Sequence, residues 1–351
     1  MPDAPSTTFD IRSALKQGIA RLRAARVPSH TLAAELLLMH ALGRDRTWLY
    51  SHPESPVDAS AAESYFALIA RRAAGEPTQY LTGKQEFWGL EFEVTPAVLI
   101  PRPETEHVIE VALELLGPRG IKIDLRTGAP APPLRIADVG TGSGCIAVAL
   151  ARELPHAEIF ATDISEAALE VARRNAARHA VSDRIHFLLC DLLGPFLPSP
   201  LTPHPSPLGG RSLPVGRHGF SSDMNAAFLA GVSTPEATNS FSPLAPHPSP
   251  LDLIVSNPPY VSRDAAHTLP REVRDHEPHG ALFGGPAGGE IYPRLISQAA
   301  SLLAPGGILV LELGYDSGPR VRALLEQGPW SHLKITNDLA GIPRVISAIR
   351  S

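Results

Sequence analysis

Residues 134–151 read LRIADVGTGSGCIAVALA. An apolar run closes on Asp138 and Val139, a turn holding three glycines follows, and a second apolar run opens at Cys145. A strand feeding a glycine turn and then a helix is the opening unit of a doubly wound α/β sheet. Downstream the same alternation continues: AEIFATD (157–163), SEAALEVARRNAARHA (165–180), RIHFLLCD (184–191), LDLIVSN (251–257), YPRLISQAASLLAPGG (292–307), ILVLELG (308–314) and PRVISAIR (343–350). Strands and helices in alternation predict a parallel sheet wrapped by helices. Ligands of such sheets sit beyond the carboxyl ends of the strands. That rule sets Gly140–Gly144, Asp163, Asp191 and Asn257 along one rim.

The rest of the chain divides by pattern. Residues 1–75 read as a small helical domain: FDIRSALKQGIARLRAA, HTLAAELLLMHALG ending at Gly43, and DASAAESYFALIARRAAG opening at Asp58, a good helix cap. Residues 76–100 hold two alternating stretches around Gly89, a predicted β-hairpin linking the two main parts. The larger domain, 101–351, opens with PRPETEHVIEVALELLG, a predicted helix with prolines ahead of it and acidic residues in its first turn. Its alternation is broken at 195–250, where twelve residues are proline and SPLTPHPSPL (199–208) returns as SPLAPHPSPL (242–251). So little apolar content predicts disorder, and the repeat suggests a late insertion into a surface loop.

Composition narrows the function classes. A hydrophobic fraction of 44% is ample for a core, and a net charge of −5 argues against a nucleic-acid backbone as direct partner. Cys145 and Cys190 have no metal-ligand spacing, so no metal site is expected and a reducing compartment is. With no signal-like apolar segment and no run long enough to cross a bilayer, a cytoplasmic protein without membrane attachment is expected.

The turn at 140–144 spaces its glycines G-x-G-x-G, whereas dinucleotide sites use G-x-G-x-x-G. Asp163, nineteen residues past Gly144, closes the next strand, where a carboxylate can take both hydroxyls of a ribose. A nucleoside without a pyrophosphate fits both facts, and S-adenosylmethionine is such a ligand. Its expected contacts are Gly140, Thr141, Gly142, Ser143, Gly144 and Asp163. Asp191 and Leu192 are expected at the adenine edge, and Asn257 where cofactor and acceptor meet. Asp138 is placed either to orient the loop or to face a cationic group.

Asn257, Pro258, Pro259 and Tyr260 end another strand of the same rim. An amino group conjugated to a π system is a poor nucleophile. A site helps it by accepting both N–H hydrogens and aiming the nitrogen at the methyl group. The Asn257 amide oxygen and the Pro258 carbonyl can be those acceptors, the prolines making that backbone rigid. Tyr260 can stack on the flat acceptor. Asn257, Pro258 and Tyr260 are thus the catalytic candidates, and Pro259 joins them in holding the substrate.

Several longer segments resemble the HemK/PrmC family of peptide chain release factor glutamine methyltransferases: GEPTQYLTGKQEFWGLEFEVTPAVLIPRPETE (75–106), DVGTGSGCIAVALA (138–151), SNPPYV (256–261) and HEPHGALFGGPAGGEIYPRLISQAASLLAPGGILVLELGYDSG (276–318). The resemblance implies a class I, Rossmann-like methyltransferase sheet with a helical N-terminal substrate-recognition domain. It implies S-adenosylmethionine as cofactor and class 1 release factors as protein partners. The acceptor would be the glutamine side-chain nitrogen of the Gly-Gly-Gln motif, and the protein is expected to act as a monomer. A ribosomal-protein glutamine methyltransferase is the alternative within the same chemistry, and a DNA or RNA aminomethyltransferase a more distant one. Phe87 and Trp88 either wall the glutamine channel or belong to the core.

Overall fold

The structure, a computed structural model, describes residues 9–117, 132–197 and 250–351. Most of the proline-rich stretch, with both repeat copies apart from Pro250 and Leu251, lies outside the described residues.

The chain begins with a short strand, β1 (Phe9–Asp10), and three helices, α1 (Ile11–Ala24), α2 (His30–Leu42) and α3 (Arg46–Ser51). Strand β2 (Pro56–Val57) pairs antiparallel with β1, and α4 (Ala59–Ala73) and α5 (Thr78–Thr82) follow. Local chemistry sets these boundaries. Asp10 and Asp58 cap α1 and α4 by accepting the Ser13 and Ala61 N–H groups at 2.7 and 2.8 Å, and Gly43 ends α2 with φ of 61°. Leu22, Leu37, Leu38, Tyr65 and Ile69 from α1, α2 and α4 are fully enclosed in one core.

β3 (Lys84–Phe87) and β4 (Leu90–Glu93) form the hairpin, turning at Trp88 and Gly89. Phe87 is 1% exposed and packs edge-on against Phe92, while Trp88 is tied by its backbone N–H to Glu106 and by Nε1 to Glu153. Both aromatic residues therefore serve the core and the hairpin's attachment. A turn of 3₁₀ helix at Pro103–Thr105 leads into α6 (Glu106–Leu116).

The large sheet is built from β5 (Arg135–Val139), α7 (Cys145–Glu153), β6 (Glu158–Asp163), α8 (Glu166–Arg178), β7 (Ile185–Leu189), β8 (Leu251–Ser256), α9 (Arg271–His276), α10 (His279–Leu282), α11 (Ile291–Leu302), β9 (Leu303–Glu312), α12 (Gly318–Glu326), β10 (Trp330–Asn337) and β11 (Pro343–Arg350). Its seven strands lie in the order β10-β11-β9-β8-β5-β6-β7, and β7, β6, β5, β8 and β9 run parallel. The order reverses between β5 and β8, both buried almost throughout, and a crevice opens beyond their carboxyl ends.

One strand breaks the parallel run of the sheet. β11 lies antiparallel between β9 and β10. The reason is local: Asp338 and Gly341 make a tight turn in which Asp338 Oδ1 accepts from the Ala340 and Ile342 N–H groups, both at 2.9 Å. A connection this short can only fold back as a hairpin.

A buried amide also ties the hairpin to the sheet domain. Asn175 of α8 accepts from the Glu93 N–H at 2.7 Å and donates to the carbonyls of Glu93 and Ser143 at 3.0 and 2.9 Å. Three groups on two separate segments thus depend on one side chain that has no solvent exposure. Asn175→Ala would leave them without partners and should cost about 3 kcal/mol in stability, read as a shift of the urea unfolding midpoint.

Candidate active site

A cleft of about 670 Å³ opens at the carboxyl ends of β5, β6 and β8, inside the range of roughly 300–1,000 Å³ usual for small-molecule sites. Gly140, Thr141, Gly142, Ser143, Asp163, Asp191, Leu192, Asn257 and Pro259 all line it. The sequence rim is therefore one continuous wall.

The glycine turn is shaped from both ends. The N–H groups of Gly140 and Thr141 both donate to the Thr162 carbonyl at 2.9 Å, which draws the loop over the end of β6. Gly140, Gly142 and Gly144 have φ of 72°, 55° and 80°, the left-handed region that other residues avoid. At Gly144 a side chain would also meet Ala172 Cβ at 3.0 Å, so α7 and α8 approach closely only because glycine stands there.

Asp138 and Asp163 divide the work of the rim. Asp138 is fully buried; its Oδ2 accepts from the Thr141 hydroxyl at 2.6 Å and from the Ala147 N–H at 3.2 Å. It orients the loop, and no cationic group among the described residues pairs with it. Burial pushes its carboxyl up to about 7, only partly opposed by those two hydrogen bonds. Asp163 is at the cleft surface. Its Oδ2 accepts from the Gly142 N–H and its Oδ1 from the Ser165 N–H, both at 2.9 Å. Each oxygen keeps a lone pair free, so the carboxylate is held in orientation and can still accept two hydroxyls. That is the donor set a ribose diol needs, and the residues present fit S-adenosylmethionine. Ile164, 75% exposed beside Asp163, adds an apolar surface suited to a purine face.

Asp191 lines the cleft and forms an exposed ion pair with Arg294 of α11. Leu192, 7% exposed with φ of 52°, turns the chain inward beside it. Cys145 and Cys190 also line the cleft. Burial pushes their thiols up to about 12 and about 11, so neither supplies a thiolate nucleophile near neutral pH.

The Asn257 amide nitrogen donates to Thr105 Oγ1 at 3.1 Å, which leaves Oδ1 as the acceptor available to a ligand. Pro258 and Tyr260 do not line the cleft itself: Pro258 is buried, and the Tyr260 hydroxyl donates to Glu312 Oε1 at 3.3 Å.

Two parts of the site were not singled out as site residues from sequence. Residues 97–105, including Ala97, Leu99, Pro101 and Thr105, form the wall facing the glycine loop. The segment FGGPAGG (283–289) backs the Asn-Pro-Pro-Tyr turn: the Val261 N–H donates to the Leu282 carbonyl at 2.9 Å and the Gly284 N–H to the Val261 carbonyl at 3.1 Å. A Cβ on Gly284 would lie 2.2 Å from the Pro259 carbonyl oxygen. Four glycines within six residues were the available signal, since such density marks close backbone approach. α9 and its exit, just ahead of this segment, are held to the rest of the chain by two ion pairs, Arg72 of α4 with Glu272 and Arg102 with Glu277.

The buried acid of the loop yields a pH prediction. Asp138 has its folded pKa raised from 3.8 to about 7, so the folded state holds a proton that the unfolded state has released between those values. Stability must then fall as pH rises across that window. Wild type should lose stability relative to Asp138→Asn between about pH 4 and about pH 7, measured by chemical denaturation at each pH.

Comparison with known proteins agrees with this geometry. Residues 13–83 match the family model described as PrmC N-terminal domain, and residues 132–199 match the one described as methyltransferase domain. A release factor glutamine methyltransferase of Koribacter versatilis is 39% identical over 336 residues, 96% of this chain and 97% of that protein. The protein of the same name from Moorella thermoacetica is 38% identical over 341 residues, 97% of this chain and 98% of its own. With likeness of that degree running through the helical N-terminal part, the glycine loop and the final strand, the chain belongs to the release factor glutamine methyltransferase family.

Proposed function

We propose that the protein methylates the side-chain amide nitrogen of the glutamine in the Gly-Gly-Gln motif of class 1 peptide chain release factors. The observation that carries this reading is the Asn257 amide. It stands at the end of β8 with its nitrogen engaged by Thr105 and its oxygen open to the same cleft that Asp163 and the glycine loop line. When bound, S-adenosylmethionine supplies an electrophilic sulfonium methyl.

In this reading Gly140, Thr141, Gly142, Ser143, Gly144, Asp163, Asp191, Leu192 and Asn257 hold the cofactor. Asn257, Pro258, Pro259 and Tyr260 hold the glutamine. The glutamine nitrogen carries two hydrogens and a delocalised lone pair. Asn257 Oδ1 accepts one hydrogen and the Pro258 carbonyl the other, which fixes the nitrogen and favours the pyramidal geometry of the transition state. The side-chain nitrogen becomes acidic once it carries positive charge, so its proton passes to water without a strong base. Residues 1–75 serve as the substrate-recognition part. The protein acts as a monomer in the cytoplasm, on a protein and not on nucleic acid. Both cysteines are free thiols, which suits a reducing compartment, and among the described residues no helix is long and apolar enough to cross a membrane.

Labelled S-adenosylmethionine incubated with the protein and a class 1 release factor should label the factor, and a factor with the motif glutamine changed to alanine should stay unlabelled. Label on a ribosomal protein or on DNA instead would keep the chemistry and replace the substrate. Asn257→Ala should lower kcat by about a hundredfold or more while cofactor affinity, measured by calorimetry, is kept. Gly284→Ala, whose new methyl would press on the Pro259 carbonyl, should lower kcat by about tenfold or more in a protein whose circular dichroism is unchanged.

A further inference from the structure

Two walls of the cleft come from parts of the chain far apart in sequence. Residues 97–105 face the glycine loop, while Pro278, Gly280, Ala281, Phe283 and Gly284 stand with the Asn-Pro-Pro-Tyr turn. Each wall is fastened on its own side. The Tyr80 hydroxyl of α5 donates to the Val98 carbonyl at 2.6 Å in a buried contact, and the Asn257 amide reaches Thr105. Opposite, backbone bonds from Val261 and Gly284 tie residues 282–284 to the turn.

What joins one wall to the other is Glu277, just past the end of α9 and 3% exposed. Its Oε1 takes the Arg102 guanidinium, and its Oε2 accepts the Ile100 N–H at 3.3 Å. Among the described residues, these are the hydrogen bonds that cross between residues 97–102 and residues 271–284. Neither Glu277 nor Arg102 lines the cleft, but their neighbours in the chain do. Pro101 sits between the two partners, Ile100 and Arg102, and Pro278 follows the acid directly. Proline fixes its own φ, so the position of the clasp is passed to the cleft surface with little slack.

We infer that Glu277 is a positioning residue: by clasping Ile100 and Arg102 it sets the distance between the cofactor side and the acceptor side of the cleft. The inference rests on the function proposed above. Methyl transfer needs the donor carbon and the acceptor nitrogen in line and roughly 3–3.5 Å apart. Each ligand can settle on its own wall without Glu277. The clasp adds their spacing when both are present. A carboxylate suits the task because its two oxygens accept in two directions at once. A carboxamide of the same shape has one oxygen to accept with, and its nitrogen would face a donor, so one of the two ties is lost.

The test compares wild type, Glu277→Gln, Arg102→Lys and Arg102→Met in methyl transfer to a release factor, with rates counted per cofactor-binding site so that unfolded protein does not enter. Three affinities are measured beside the rate: for S-adenosylmethionine, for the release factor, and for a Gly-Gly-Gln peptide whose glutamine nitrogen is joined through a methylene to a cofactor analogue. Glu277→Gln should lower kcat by about tenfold or more and weaken the joined analogue by a similar factor. The two separate ligands should each stay within about twofold of wild type, because only the analogue spans both walls. Arg102→Lys, which keeps a cation for Glu277, should stay closer to wild type in kcat than Arg102→Met, which should fall with Glu277→Gln. Wild-type kcat in Glu277→Gln would overturn the inference and leave the proposed function standing. Equal weakening of all three ligands would do the same, since it would mark a general loss of structure. If Glu277→Gln does not fold, Arg102→Lys against Arg102→Met decides alone: equal rates for the two overturn the inference. No transfer by wild type to any release factor would overturn the proposed function first and this inference with it.

Discussion

A carboxyl sealed from water must find its partners in the chain around it, and at Asp138 those partners are the loop and the first turn of the helix that follow. Thr141 and Ala147 supply them, so the glycine turn between is bound at its start and at its exit. Much of the rim follows from this. The loop so held puts the Gly142 N–H against Asp163, and the Ser143 carbonyl against Asn175, which in turn carries the hairpin. Removing water from one acid thereby ties three segments of the chain to the crest of the sheet.

The two buried acids of the rim, Asp138 and Glu312, stand on the two strands that flank β8. Each ends or nearly ends its strand and is pushed up to about 7 by burial; the Thr141 hydroxyl meets Asp138 and the Tyr260 hydroxyl meets Glu312. One shapes the loop that faces the cofactor; the other stands behind the turn that faces the acceptor. Neither lines the cleft itself. The half-buried groups of the cleft, Asp163 and Asn257, owe their orientation to backbone N–H groups and to Thr105 respectively. Preorganisation here is a matter of hydrogen bonds made beforehand, which the reaction then does not have to form.

Much of this was legible in the sequence, and for physical reasons. Glycines at 140, 142 and 144 mark a backbone that other residues cannot follow, and strand ends in a parallel sheet must share a rim, so Asp163, Asp191 and Asn257 could be brought together without coordinates. The hairpin of β10 and β11 was not foreseen as such, because WSHLKITN alternates polar and apolar residues as an edge strand does, and the tight turn at Asp338 was not weighed. Glu312 was missed although its signal was present: a single charge inside ILVLELG, an otherwise apolar run. Lone acids in buried strands are rarely accidental. Which partner such an acid has found is a tertiary fact. Tyr260 lies 52 residues earlier, and no spacing rule connects them.

The position of β11 bears on how the molecule is made. Among the described residues β10 has β11 as its one neighbour in the sheet, and β11 in turn lies against β9. During synthesis β10 emerges first and finds no edge to join, because the strand that should separate it from β9 has yet to be translated. The sheet beyond β9 closes only when Pro343–Arg350 has left the ribosome. Arg344, which favours the charge on Glu312, arrives in the same final segment. Every residue that lines the cleft precedes β10, so a nascent chain halted before this strand would carry the whole cleft lining beside an unpaired β10.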